Sequence, residues 1–396
     1  MPLGLYISVP FCRSKCSYCN FASDVFSGTV FRRYVDRLCA DIEQANLTVE
    51  RMGGHFERSV DSIYLGGGTP TVLDFAELQR VFTTISQNFD ISSGAEITVE
   101  CAPGTLTSAV LQTLQCCGVN RVSLGVQSFM DLEAAAVGRL HTRAVVLEDI
   151  ARLREAGIAN INLDLIAGLP HQTAESWQFS LDQVIESGAP HASVYMLEID
   201  EDSRLGRELM AGGTRYHAHF VPDEDLTVAL YESAREQFNA AGLRQYEISN
   251  FARDGAQSRH NLKYWTRQPY LGFGVDAHSM LPAVDVELDS VRFASPDSLE
   301  KYVAGGDPTG SAVSSRAALE ETFFTGLRLN AGVDLEQVRE KFGGEAVSAL
   351  TIVLADLEVD GLLAREGRQI YLTSRGRLLS NEVFEKFVGE QSAVSN

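Results

Sequence analysis

Short apolar runs rich in β-branched residues alternate with stretches of helical period through the first half of the chain, the pattern of strands joined by helices. Leu3–Val9 predicts a first strand and Phe31–Val49 an amphipathic helix. Ser62–Leu65 reads as a buried strand that stops at Gly66-Gly67-Gly68, and Phe75–Phe89 has helical spacing. The same pairing repeats as strand Ala95–Cys101 with helix Ser108–Cys117, then strand Asn120–Val126 with helix Arg143–Ala156. Strand Asn160–Ile166, helix Ala174–Ser187 and strand Ala192–Ile199 close the series. Units joined this way imply parallel strands with right-handed crossovers. Their spacing suits a barrel or open barrel, in which chemistry gathers at the carboxyl ends of the strands.

Beyond about residue 205 the pattern changes. A helix over Leu226–Ala241 and an aromatic-rich segment from Tyr246 to Met280 precede a polar, Gly- and Pro-containing stretch, Pro296–Ser315. Helices are expected around Arg316–Leu329, Leu335–Phe342 and Ala346–Asp360, then a β pair within Leu363–Leu372 and a helix over Ser374–Val388. Helix, helix and a two-stranded wing make a winged-helix-like module. The resulting division is an α/β core over 1–235, a connecting segment over 236–310 and a C-terminal unit over 311–390.

Composition narrows the function classes. With 45% hydrophobic and 22% charged residues, the chain has ample material for a core. No apolar run is long enough for a membrane span, and the amino terminus leads directly into strand-like sequence, so no secretory signal is expected. Seven cysteines, an odd number with three in one tight motif, argue for a reducing cytoplasm and not a disulfide scaffold. Cys39, Cys101, Cys116 and Cys117 are expected as small buried apolar residues. The net charge of −20 repels polyanions, so nucleic acid is not an expected partner. Residues 316–386 carry 9 basic and 12 acidic side chains, which removes the usual DNA-binding reading of a wing. A lid or docking role is expected for this unit instead.

The chemistry concentrates at Cys12, Cys16 and Cys19, spaced C-x3-C-x2-C with Tyr18 just before the last. Closed zinc or iron–sulfur sites take four protein ligands. Three thiolates on a four-iron cluster leave one iron open to a small molecule, while a zinc knuckle would have to borrow a distant fourth ligand. The Gly66–Thr71 turn lets backbone approach a ligand closely and exposes its N–H and C=O groups. Glu100, Gln127, Arg139 and Asp164 fall at or just beyond the ends of successive strands. A carboxylate within Leu163-Asp-Leu-Ile is costly unless paired or hydrogen-bonded. Each of these residues alone could be structural; at one barrel mouth they would cradle a zwitterion bearing ribose hydroxyls.

Together, Tyr6 with Pro10-Phe11-Cys12, Gly66–Thr71, Gly125-Val-Gln-Ser-Phe129, Arg139-Leu-His141 and Asp164 with Gly168-Leu-Pro170 resemble the coproporphyrinogen-dehydrogenase-like branch of radical S-adenosylmethionine (SAM) proteins. The resemblance runs from about residue 3 to 388. It implies a partial (β/α)6 barrel with a C-terminal helical, winged-helix-like domain, a 4Fe-4S cluster on Cys12, Cys16 and Cys19, and SAM at the open iron. By matching position, Tyr6, Tyr18, Gly67, Gly68, Thr69, Glu100, Gln127, Arg139 and Asp164 are the implied SAM contacts.

Within this branch the oxygen-independent dehydrogenases have a longer segment before the cluster motif and a fourth cysteine two residues after the third. Here that position is Phe21, which resembles the haem-chaperone members. Downstream, His260-Asn-Leu-Lys-Tyr-Trp265 resembles their haem motif. His260 or Tyr264 can ligate iron and Trp265 offers a flat apolar face, with Asn261 in the same motif; the alternative is a hydrogen-bonded His260 and a core Trp265. Asp276 stands where relatives more often have a small residue. The resemblance therefore implies haem as a third cofactor and delivery to respiratory haemoprotein clients. Contact with the membrane surface and a homodimer are compatible with it. The alternative it leaves is oxidative decarboxylation of coproporphyrinogen III, in which Arg13 and Lys15 could meet propionates.

Overall fold

A computed structural model describes residues 1–26 and 28–388; residues 389 and 390, the end of the expected C-terminal unit, lie outside the described residues. The apolar runs become β1 (Leu3–Ser8), β2 (Ser59–Gly66), β3 (Asp90–Cys101), β4 (Arg121–Gln127), β5 (Asn160–Ala167) and β6 (His191–Met196). They pair in parallel and in chain order. Leu3, Leu5 and Ile7 of β1 are fully buried, as are Ile63 and Leu65 of β2 and Ile161, Leu163 and Leu165 of β5. These outward faces of the strands meet the crossover helices Gly28–Glu43, Phe75–Asn88, Ser108–Cys116, Arg143–Glu155 and Ala174–Ser187. Local chemistry sets the helix starts. Asp74 and Thr107 accept N-cap hydrogen bonds from Glu77 and Val110, and Thr173 forms a capping box with Ser176, each cap contributing about 1 kcal/mol. β1 and β6 do not pair with each other, so the barrel is partial.

Residues 244–314 extend both edges of this sheet. β7 (Arg244–Gln245) and β8 (Asn250–Ala252) add antiparallel strands beside β6. β9 (Tyr270–Phe273) pairs in parallel with β1, and β10 (His278–Pro282), β11 (Leu288–Ala294) and β12 (Thr309–Ser314) follow antiparallel. The C-terminal unit has its own core of Leu319, Phe323, Val338, Leu354, Ile370 and Val383, with Phe323 stacked on Phe387 at 5.0 Å between ring centres. Its wing is β14 (Leu363–Glu366) and β15 (Gln369–Leu372), edged by β13 (Val333–Asp334). Among the described residues no helix is long and apolar enough to cross a membrane. Cys39 and Cys101 are buried as expected; Cys116 is exposed and Cys117 half-buried, because the helix Ser108–Cys116 ends there and turns them off its inner face.

Candidate functional site

The cysteine loop leaves β1 and is tied at its base. The Cys12 N–H donates to the Asp24 carbonyl (3.0 Å) and the Asp24 N–H to that of Pro10 (3.0 Å). Lys15 Nζ donates to the carbonyls of Phe21 (2.8 Å) and Ser23 (2.5 Å). From the other side the Thr69 N–H donates to the Phe11 carbonyl (2.7 Å). A Cβ at Gly68 would lie 2.5 Å from the Val9 carbonyl oxygen and 2.8 Å from that of Phe11, so only glycine fits. Gly67, at φ +88°, turns its N–H onto Glu100 Oε2 (3.1 Å).

This packing brings the free thiols of Cys12, Cys16 and Cys19 to one cavity of about 820 Å³ at the carboxyl ends of the strands, within the size range of small-molecule sites. Among the described residues no three His, Cys, Asp or Glu side chains close on a single metal ion. Tyr18, Gly67, Gly68, Thr69, Glu100, Gln127, Arg139 and Asp164 line the same cavity. Glu100 also accepts from the Tyr64 hydroxyl (2.8 Å). Burial pushes its carboxyl up to about 7 against the pull of that hydroxyl, and nearby Asp164 adds to the rise. Asp164 accepts from Ser123 Oγ (3.0 Å) and Asn162 Nδ2 (2.7 Å), and burial still raises its pKa.

Arg139 Nη2 donates to the Tyr18 hydroxyl (3.4 Å), while its Nε is buried without a partner. Gly125 makes room for this guanidinium, since a Cβ there would sit 2.8 Å from Nη2. Gln127 adopts φ 69°, which costs a non-glycine residue about 1 kcal/mol or more. Thiols, two carboxylates, an arginine with an unused donor and a glycine turn fit a cluster and a zwitterionic ligand together. Tyr6 is the exception among the expected SAM residues. It does not line this cavity but an adjoining one of about 310 Å³, which shares Gly67 and Phe21 with the first.

The haem-type motif forms the helix Arg259–Trp265, capped by Ser258, whose Oγ accepts from the Asn261 N–H (3.3 Å). It packs at the amino-terminal side of the barrel, where Lys263 Nζ donates to the Pro2 carbonyl (2.8 Å) and pairs with Asp61 (2.8 Å). His260 is 1% exposed. Its Nδ1 meets Ser62 Oγ (3.1 Å), its Nε2 the Tyr264 hydroxyl (2.8 Å), and its ring stacks on Tyr64. Burial, with help from Lys263, lowers its pKa to about 3. His260 thus sits as a neutral hydrogen-bonded plug with neither nitrogen free for iron. Trp265 is half-buried, and the Arg328 guanidinium covers one face of its ring at 4.4 Å. Asn261 lines neither cavity; Tyr264 alone of the four opens onto one, the smaller.

Sequence reasoning missed the polar lining that holds the site. Beside Glu100 and Asp164, which the sequence did mark, Ser62 and Tyr64, Glu96 and Thr98, Ser123, Asn162 and Ser193 share the period-two pattern of β2 to β6. Period-two alternation places them on one face of each strand. Hydrogen bonds such as Asn162 Nδ2 to Ser193 Oγ (3.0 Å) join them between neighbouring strands. That alternation was visible in the sequence and marks the polar lumen. Arg328 and Arg377, which reach the large cavity from the C-terminal unit, carried no such signal.

Comparison with known proteins agrees with this geometry. The Radical SAM superfamily matches residues 6–184 and the HemN C-terminal domain residues 313–379. The solved coproporphyrinogen III oxidase HemN of Escherichia coli, described as a radical SAM enzyme, superposes with a TM-score of 0.82 at 25% identity, over 98% of this chain and 90% of that one. The chain is also similar to the heme chaperone HemW of Lactococcus lactis, 31% identical over 98% of this chain and 97% of that one. Radical SAM membership implies a 4Fe-4S cluster and SAM as cofactors. With 36% identity to the heme chaperone HemW of Bacillus subtilis over 97% of this chain and 99% of that protein, the chain belongs to the HemW family of the radical SAM superfamily.

Proposed function

We propose that this protein is a cytoplasmic haem chaperone. It holds a 4Fe-4S cluster on Cys12, Cys16 and Cys19, binds SAM at the open iron, carries haem and passes it to respiratory haemoproteins. The observation that carries this reading is the near full-length identity to proteins named as heme chaperones. Phe21 at the position of the dehydrogenases' fourth cysteine supports it from the sequence. In the SAM site the cluster supplies the coordination position. Glu100 and the Gly67–Thr69 turn are suited to the amino group, Arg139 with its free Nε to the carboxylate, and Asp164 and Gln127 to the ribose. Haem is assigned to the cavity beside the Arg259–Trp265 helix, where Tyr264 opens. Anaerobic reconstitution followed by haem titration tests the reading. Stoichiometric haem binding is expected, without conversion of added coproporphyrinogen III by the reduced protein with SAM. A purified, cluster-loaded chain that takes up no haem would overturn it.

A further inference from the structure

β5 and β6 run parallel, and their register sets Asn162 beside His191 and Asp164 beside Ser193. From there a single chain of hydrogen bonds runs from the helix cap Ser258 to the cavity wall. The Ser258 N–H donates to the Tyr246 hydroxyl oxygen (3.2 Å), and that hydroxyl lies 2.9 Å from His191 Nε2. His191 Nδ1 lies 2.6 Å from Asn162 Oδ1, and Asn162 Nδ2 donates to Asp164 Oδ1 (2.7 Å). Of these five residues Asp164 lines the large cavity and the other four do not.

Both ends of the chain have a fixed sense. A backbone N–H can only donate and a carboxylate can only accept, so every proton between them points towards Asp164. Asn162 therefore turns its amide nitrogen to Asp164 and its oxygen to His191. His191 carries its proton on Nδ1, which leaves Nε2 to accept from the Tyr246 O–H. The neighbouring hydroxyls agree with this order. Ser123 Oγ gives its proton to Asp164 Oδ2 (3.0 Å) and Ser193 Oγ gives its own to Asn250 Oδ1 (2.8 Å). Both are then acceptors for Asn162 Nδ2, at 2.8 and 3.0 Å. An imidazolium would break the order by bringing a second donor to Tyr246. His191 avoids it: the residue is 1% exposed, and burial, with Arg121 adding to it, lowers its pKa well below the usual value.

We propose that His191, outside the cavity, is a positioning residue for the SAM site: its Nδ1–H locks Asn162, and Asn162 holds Asp164 as the ionised acceptor for the ribose hydroxyls. This rests on the assignment of Asp164 to the ribose made above. Without the imidazole proton, Asn162 is free to rotate its amide and set its oxygen against the Asp164 carboxylate. The diol then loses an aimed acceptor.

The test is isothermal titration of the full, cluster-reconstituted chain with SAM and with a SAM analogue lacking both ribose hydroxyls. His191→Leu removes the proton and should weaken SAM about tenfold, while the analogue binds wild type and variant alike. His191→Asn keeps an N–H donor at the Nδ1 position and should stay within about threefold of wild type for SAM. Tyr246→Phe removes only the O–H that fixes Nε2, and should weaken SAM in the same diol-dependent way; it decides the matter where His191→Leu does not fold. Wild-type SAM affinity in these two variants overturns the proposal. So does an equal loss for SAM and the analogue, the result a damaged barrel would give. A wild type that binds SAM and the analogue equally well removes the ribose assignment itself, and the positioning role with it.

Discussion

At the scale of single residues the site is governed by desolvation. Glu100 is the clearest case: its carboxyl stands near 7 in the folded chain against 4.5 in the open one, with burial as the first cause. The folded state therefore binds the extra proton between these values, and stability contributed by this group is lost as pH rises through that window. Glu100→Gln removes the titration while keeping an acceptor for Tyr64. The unfolding free energy of the cluster-free wild type should fall relative to Glu100→Gln between pH 4.5 and 7, by an amount on the order of 1–3 kcal/mol read from thermal unfolding. Parallel pH profiles for the two proteins would show that Glu100 ionises normally. A SAM amino group near this carboxylate would favour its charged form, so ligand binding and Glu100 ionisation are expected to be coupled.

At the scale of elements, the helix Arg259–Trp265 acts as the floor of the barrel. His260→Ala leaves the Ser62 and Tyr264 hydroxyls without their shared partner and opens a void beneath Tyr64, with an expected loss of about 2–4 kcal/mol. Thermal unfolding measures it; a variant as stable as wild type would mean that the ring is not the plug its contacts describe. This is also where the sequence was partly illegible. The parallel strands were readable because buried Leu, Ile and Val recur at alternate positions on their outward faces. β9 is only Tyr270–Phe273 and is interrupted by Gly272, where a Cβ would meet the His278 carbonyl oxygen at 2.3 Å. β12 is an edge strand with Val313 its one buried residue, so it lacks a strand's apolar signature. The cysteines and the glycine turn were legible because their chemistry is local. The burial of His260 was not, since it depends on Ser62, which lies 198 residues away in sequence.

At the scale of the whole molecule, the C-terminal unit is fastened to the sheet extension by one charged network. Arg267, only 4% exposed, donates to Glu321 (2.9 Å) in the helix Ser315–Gly326 and to Asp289 (3.0 Å) in β11. Arg292 of β11 joins Glu321 at 3.0 Å, and Lys341 of the C-terminal unit joins Asp289 at 3.1 Å. The same unit sends Arg328 over Trp265 and, with Arg377, into the cavity wall, so its seating sets how far the site is closed. A buried charge that loses a partner is far more costly than an exposed pair. Glu321→Ala, which strips one of two carboxylates from Arg267, should therefore destabilise the chain by about 3 kcal/mol. Removing the half-exposed Arg292 should change stability by less than about 1 kcal/mol. Limited proteolysis adds a readout that total stability does not provide. Glu321→Ala should speed cleavage between β12 and the C-terminal helices while the barrel fragment persists, and Arg292→Ala should not. Equal effects of the two substitutions would show that the network is a surface feature and that the apolar contacts alone hold the unit over the barrel mouth.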